Sequence, residues 1–193
     1  PVNRELALLR RMLNIALREG WILKNPFAAG EPLINLADEK KRERILTKEE
    51  EQRLFAACDA DTRRSHLRPI LVCALDTGMR KGEIFKLVWR DVDFDNGMIN
   101  VRAFNTKTMR ERQVAMTERL RRELLDLHYK SVPDLDDLVF GIIDTVKTSF
   151  GTIRKAAKLE DVRFHDLRHS HASRLVAANV PLSEVGRVLG HTQ

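Results

Sequence analysis

The sequence predicts a mainly α-helical chain with one small antiparallel sheet, an α+β arrangement in which helices dominate. Three observations carry this. Apolar residues recur at helical spacing in most of the chain, as at Leu6, Leu9, Leu13 and Leu17. The character changes once, at Asp91, where a turn signal Asp95-Asn96-Gly97 separates two short β-type runs. Helix punctuation is frequent: Thr47 stands three residues before Glu50, Thr117 precedes a leucine-rich stripe, and Gly20, Gly78 and Gly190 follow helical patterns.

In order, the pattern gives a first helix capped by Asn3 and ended at Gly20, with a break at Asn25-Pro26. The stretch 30–44 reads as a linker, with Pro32 and the basic run Lys40-Lys41-Arg42-Arg44. A capping box at Thr47 opens a helix to about Cys58. A central helix runs from about Ser65 to Leu75 and carries Ile70, Leu71, Val72 and Ala74. After Asp76-Thr77-Gly78-Met79 another helix begins at Arg80. Val92–Phe94, Met98–Val101 and Arg112–Ala115 form a three-stranded meander with Lys107 in the second turn. A helix capped by Thr117 and carrying Leu120, Leu124, Leu125 and Leu127 follows, and then one over 145–158. The apolar piece Leu138-Val139-Phe140 lies between them. Leu167–Ala178 and a last helix that starts at Pro181-Leu182-Ser183 and ends at Gly190 complete the helices.

Composition bounds the partners. The 193 residues carry a formal charge of +6 and a pI near 9.6, a basic excess compatible with nucleic acid. Cys58 and Cys73 are isolated thiols without a C-x-x-C pair, which fits a structural role in a reducing compartment. No apolar run is of membrane-spanning length. The chain opens inside a helical pattern and stops just past a motif, so the expectation is a fragment cut at both ends.

Two arginines stand out. Arg168 heads a stripe continued by Ala172, Leu175 and Val176, and Arg80 heads one continued by Ile84, Leu87 and Val88, both at i, i+4, i+7, i+8. An inward cation in a first helical turn opposes the helix dipole, a penalty that an anion removes. Two such arginines suggest one anionic target, since a guanidinium fork matches phosphate oxygens. His165, three residues before Arg168, can reach the same spot. A single arginine of this kind reads more simply as a buried stem with a solvated head. The pair, with histidines attached, favours a site.

Four segments then resemble the tyrosine recombinase (phage integrase) family. Thr77-Gly78-Met79-Arg80-Lys81-Gly82-Glu83-Ile84 resembles the segment of the family's first catalytic arginine. Thr106-Lys107-Thr108 with Arg112-Gln113-Val114 resembles its β-hairpin lysine. His165-Asp166-Leu167-Arg168-His169 resembles the H-x-x-R box, and Leu189-Gly190-His191 the L-G-H box. The resemblance implies the DNA breaking-rejoining fold, with 1–29 as the last helix of a core-binding domain, 30–46 as interdomain linker and 47–193 as a catalytic domain incomplete at its C-terminus. It implies Arg80, Lys107, His165, Arg168 and His191 as catalytic residues, with Glu83 and His169 in support. It also implies a site-specific recombinase that cleaves and rejoins DNA through a 3′-phosphotyrosine, without cofactor or metal.

The family's tyrosine follows the L-G-H box, whereas the one tyrosine here is Tyr129, far upstream. The expectation is a chain that binds DNA without cleaving it. The implied partner is a double-stranded recombination site, with four protomers on DNA for the parent protein and a monomer for the chain alone. The implied place is the cytoplasm, at the nucleoid.

Two alternatives stand beside this. His165 and His169 have the H-x-x-x-H spacing of a metal-dependent hydrolase, although Asp166 stands where such enzymes carry glutamate and Arg168 would repel a cation. A non-catalytic DNA-binding module would leave Lys107 and His165 without a role.

Overall fold

In the computed structural model, residues 2–28, 43–103, 111–141 and 145–190 are described. The chain divides into two compact units, 1–42 and 43–193. The first holds helix α1 (Val2–Arg18) and a short 3-10 turn at Pro26–Ala28. Asn3 lies inside α1 rather than at its cap. Gly20 closes the helix with φ 73°, and the Trp21 N–H returns to the Ala16 carbonyl.

The second unit is built around α3 (Leu67–Thr77). Leu67, Ile70, Leu71, Val72, Cys73, Ala74 and Leu75 are all buried, so this helix is apolar around its whole circumference. Each of its fully buried leucine and isoleucine side chains contributes roughly 1.5–3 kcal/mol relative to exposure. Pro69 is tolerated because it stands in the first turn, where its missing N–H has no intrahelical acceptor. α2 (Lys48–Ala60), α5 (Glu118–Ser131) and α7 (Phe164–Ala177) pack against α3. Buried Glu51 on α2 takes Arg119 of α5 and Arg174 of α7 and so ties these three elements together. Of the three caps read from sequence, those at Thr47 and Thr117 are present. Thr47 and Glu50 form a reciprocal capping box, and Thr117 Oγ1 accepts the Leu120 N–H at 3.1 Å.

The sheet has the order β1-β2-β3 and is antiparallel throughout, with β1 at Val92–Asp93, β2 at Met98–Val101 and β3 at Arg112–Ala115. Its register pairs Ile99 with Val114 and Val101 with Arg112. Ile99, Val101 and Val114 are buried, and Arg112 shares their face by the two-residue alternation of a strand. α6 (Lys147–Ala156) packs on α2, and α8 (Leu182–Leu189) packs on α7 and β3.

Two boundaries and one helix face differ from expectation. The helix after Arg80 is a single turn, α4 (Lys81–Ile84). Beyond it Val88 pairs with Leu138 in an isolated bridge, and Val139 donates to the Leu87 carbonyl at 2.9 Å. A β-branched residue beside a second apolar strand segment wins over helical continuation. α7 begins at Phe164, three residues earlier than its stripe suggested, with the Arg163 N–H bound to the Asp166 carboxylate at 2.8 Å. Arg168 therefore stands in the second turn, past the strongest part of the dipole. The inward face of α7 also runs through Leu167, Arg168 and Ser170, while Val176 is exposed.

The candidate phosphate-binding site

The turn that presents Arg80 is rigid. Gly78 ends α3 in the left-handed conformation, φ 63°, and returns its N–H to Ala74. Thr77 Oγ1 donates to the Cys73 carbonyl at 2.6 Å and accepts the Met79 N–H at 3.1 Å. Arg80 then caps α4, its own N–H bound to Glu83 Oε2 at 2.8 Å. The guanidinium folds back on the same carboxylate, Nη1 to Oε1 at 2.9 Å.

Glu83 is 2% exposed and carries four hydrogen bonds. Two come from Arg80, and two come from Arg112 of β3, Nη1 to Oε1 at 3.2 Å and Nη2 to Oε2 at 2.7 Å. Burial pushes the Glu83 carboxyl up, but the Arg112 hydrogen bonds, the Arg80 backbone N–H, the Arg112 charge and the Arg80 side-chain hydrogen bond outweigh it. The group is held below its ordinary value and stays ionised.

Arg168 is 5% exposed. Its Nη1 donates to the Gly78 carbonyl at 2.7 Å and its Nη2 to the Leu189 carbonyl at 2.6 Å, so one side chain joins the end of α3 to the end of α8. Burial and the nearby Arg80 charge bring its pKa down to about 10. Arg80 Nη2 reaches the next carbonyl, Gly190, at 3.1 Å, and Arg112 Nε reaches the preceding one, Val188, at 2.8 Å. Three successive carbonyls at the C-terminus of α8 thus each accept from an arginine of a different element. A helix end carries about half a negative charge, and Glu83 supplies one more. Three guanidinium groups exceed both. The cluster has charge left for an anion, and Arg80 keeps a partly open side chain, 27% exposed, toward solvent.

His165 and His169 stand one turn apart on α7, their rings perpendicular with centroids 4.8 Å apart. Burial and the His169 and Arg168 charges push His165 below its ordinary value, against the pull of Asp166. Lys107 and His191 lie outside the described residues. Among the described residues, no three His, Cys, Asp or Glu side chains are grouped to hold a metal ion. A cavity of about 760 Å³ between α2 and α6, lined by residues such as Arg53, Ala57 and Lys158, contains none of the candidate residues.

Of the residues expected from sequence, the structure brings Arg80, Glu83 and Arg168 together at the end of α8 and places His165 and His169 on the helix that carries Arg168. Sequence reasoning missed Arg112. The alternation of β3 was the available signal for Arg112, since it shares a strand face with buried Val114. His171, on the same helix as Arg168, packs against the end of α3. Its Nδ1 lies 3.0 Å from the Leu75 carbonyl, and its ring presses on Gly78, where a Cβ would come within 2.7 Å of His171 Cδ2. Only the Nδ1–H tautomer can donate there. Its Nε2 is buried without a partner among the described residues.

Comparison with known proteins gives the same direction. The model of the phage integrase family matches residues 44–193. The integrase of Salmonella phage P22 is 30% identical, over 92% of this chain and 47% of its own length. The shufflon-specific DNA recombinase of Escherichia coli is 31% identical, over 98% of this chain and 47% of its own. The chain therefore spans about half the length of these curated relatives. Among solved structures, the XerA recombinase superposes with a TM-score of 0.63 at 28% identity, covering 86% of this chain and 62% of that one. The Tn1549 transposon integrase in complex with circular intermediate DNA superposes with a TM-score of 0.78 at 20% identity, covering all of this chain and 71% of that one, which is a likeness of fold. With its arginine cluster on a helical scaffold of that shape and a family model covering residues 44–193, this chain belongs to the phage integrase family, the tyrosine recombinases.

Proposed function

We propose that the chain is the catalytic part of a site-specific DNA recombinase that cleaves and rejoins strands through a 3′-phosphotyrosine. The observation that carries this reading is the approach of Arg80 and Arg168, 88 positions apart in the sequence, to the neighbouring carbonyls of Gly190 and Leu189. A diester phosphate held between two such groups has its non-bridging oxygens neutralised by fixed cations. That is where charge gathers as the phosphoryl centre is attacked.

In this reading Arg80 and Arg168 clamp the phosphate. Lys107 protonates the leaving 5′-oxygen. His165, kept neutral by its surroundings, exchanges a proton with the attacking hydroxyl or donates to the phosphate. His191 gives a further hydrogen bond, Glu83 fixes Arg80, and His169 supports His165. The attacking hydroxyl belongs to a tyrosine outside these 193 residues. Tyr129, 76% exposed near the end of α5 and packed on His128, is not assigned to this role. Covalent attachment preserves the energy of the broken diester, so rejoining needs no external energy source.

The same reading takes residues 1–29 as the end of a core-binding domain, 30–46 as linker and 47–193 as catalytic domain. The partner is a double-stranded recombination site, bound by four protomers of the whole protein in the cytoplasm, and the isolated chain is expected to be a monomer when tested by light scattering. The test is a nicked suicide duplex offered to a longer protein that includes this chain and the tyrosine. A covalent protein–DNA adduct, lost on Arg80→Ala and on Arg168→Ala, is the expected result. Adduct formation indifferent to both substitutions would overturn the reading. The 193-residue chain alone should bind the duplex, form no adduct, and lose affinity steeply with added salt as phosphate contacts release counterions.

A further inference from the structure

We propose that Arg112 is a positioning residue for the arginine pair, an inference that rests on the recombinase reading. Its side chain is 8% exposed and its fork is fully committed, with Nε on the Val188 carbonyl and both Nη atoms on Glu83. Arg112 therefore acts through two other groups rather than on a substrate. One is Glu83, which orients Arg80 by its side chain and by its backbone N–H. The other is the last turn of α8, whose next two carbonyls hold Arg168 and Arg80.

The geometry explains why this link needs an arginine. A carboxylate with four donors has one orientation, and removing two of them frees it to rotate about its terminal torsion. Arg80 would follow, because Glu83 Oε1 is its intramolecular anchor. The α8 end would lose the contact that fixes it to the sheet, and the spacing between Leu189 and Gly190 carbonyls and the two guanidiniums would no longer be set. Gly190 fits the same picture. It adopts φ 67°, and a Cβ there would stand 3.0 Å from Arg112 Nη1, so the backbone passes directly over this side chain. Arg112 also joins β3, the strand that follows the Lys107 segment in sequence, to the helix end that carries the other anchors.

The test uses the longer protein with its tyrosine and a nicked suicide duplex, comparing Arg112→Met and Arg112→Lys with wild type. Adduct rate at saturating DNA is expected to fall about 100-fold in Arg112→Met, the scale of a misplaced catalytic group. DNA affinity should stay within about threefold, because the fork of Arg112 is already committed to Val188 and Glu83. Arg112→Lys keeps charge but cannot span Val188 and Glu83 together, so it should fold like wild type and still lose about tenfold in rate. In a Glu83→Gln background, Arg112→Met should add little further loss, since both act on Arg80 through one carboxylate. Wild-type rates in either Arg112 variant, or losses that multiply fully with Glu83→Gln, would overturn the assignment.

A wild-type protein that forms no adduct would count against the recombinase reading instead. Arg112 is then judged on the 193-residue chain by inorganic phosphate, followed through the arginine Nε–H signals in NMR. About tenfold weaker binding in Arg112→Met supports the positioning role, and unchanged binding overturns it.

Discussion

Leu46 donates its backbone N–H to Ser170 Oγ at 2.8 Å, and the same hydroxyl donates to the Asp166 carbonyl, also at 2.8 Å. The segment that enters the second unit is thereby bound to the helix of Arg168, two residues from that side chain. Nearby, Arg44 pairs with Glu50 and with Asp161, so the entry segment is fixed to α2 and to the turn before α7.

Ser170 is fully buried. Ser170→Ala leaves the Leu46 N–H without an acceptor in the interior, a loss of about 1–3 kcal/mol. Urea unfolding should show a lower midpoint with an unchanged slope. An unchanged midpoint would mean that another acceptor replaces the hydroxyl.

Gly78→Ala combines two penalties at one position. Its φ of 63° suits glycine, and the new methyl would come within 2.7 Å of His171 Cδ2 and 2.8 Å of Leu189 Cδ2. A cost of about 1–3 kcal/mol is expected, with loss of DNA binding, because the Gly78 carbonyl also holds Arg168. Wild-type unfolding and binding would show that the turn absorbs the methyl by moving.

These contacts mark what the sequence could and could not disclose. Arg80 and Arg168 themselves were legible because an inward arginine breaks an apolar pattern, although neither stripe holds as read, since α4 stops at Ile84 and Val176 is exposed. Their partners were not, since Arg80 and Arg168 bind carbonyls 110 and 21 positions away, and any residue type offers a carbonyl. The true inward face of α7 was displaced from the apparent one because Ser170 satisfies its hydroxyl on the Asp166 carbonyl and can be buried. Likewise α4 stops early because Val88 finds a strand partner in Leu138, a long-range pairing that local propensity does not encode.

Both His165 and His171 are held below the ordinary histidine value of 6.5. Burial is the first cause in each, reinforced by His169 and Arg168 at His165, and opposed at His171 by its bond to Leu75. Between a lowered folded value and 6.5 the unfolded chain binds more protons, so stability is present above that window and falls as pH drops through it. His171→Asn keeps an amide donor and removes the titration. Its urea midpoint should therefore vary less with pH below about 6.5 than that of wild type. Equal slopes in the two proteins would place the dependence elsewhere.

Cys58 and Cys73 are buried, and burial pushes both thiols up to about 12. The native chain should react slowly with a thiolate-specific reagent near pH 8, and the urea-unfolded chain rapidly. Fast labelling of the native protein would mean that α2 or α3 opens far more often than its core position suggests.

Arg168→Lys separates charge from shape at the centre of the cluster. The site lowers even a guanidinium to about 10, through burial first and the Arg80 charge second. A lysine starts from about 10.4 and is more strongly hydrated, so the same surroundings should bring its ammonium toward the neutral range. It also lacks the planar fork that spans the Gly78 and Leu189 carbonyls. Two losses are therefore expected, one independent of pH and one that grows as pH rises and the amine loses its proton. DNA affinity of the variant relative to wild type should improve from about pH 9 to about pH 6 without reaching parity. A ratio constant across that range would show that the amine stays charged and that only the fork matters. Full parity at the acidic end would show the reverse, that a single positive charge is sufficient between the ends of α3 and α8.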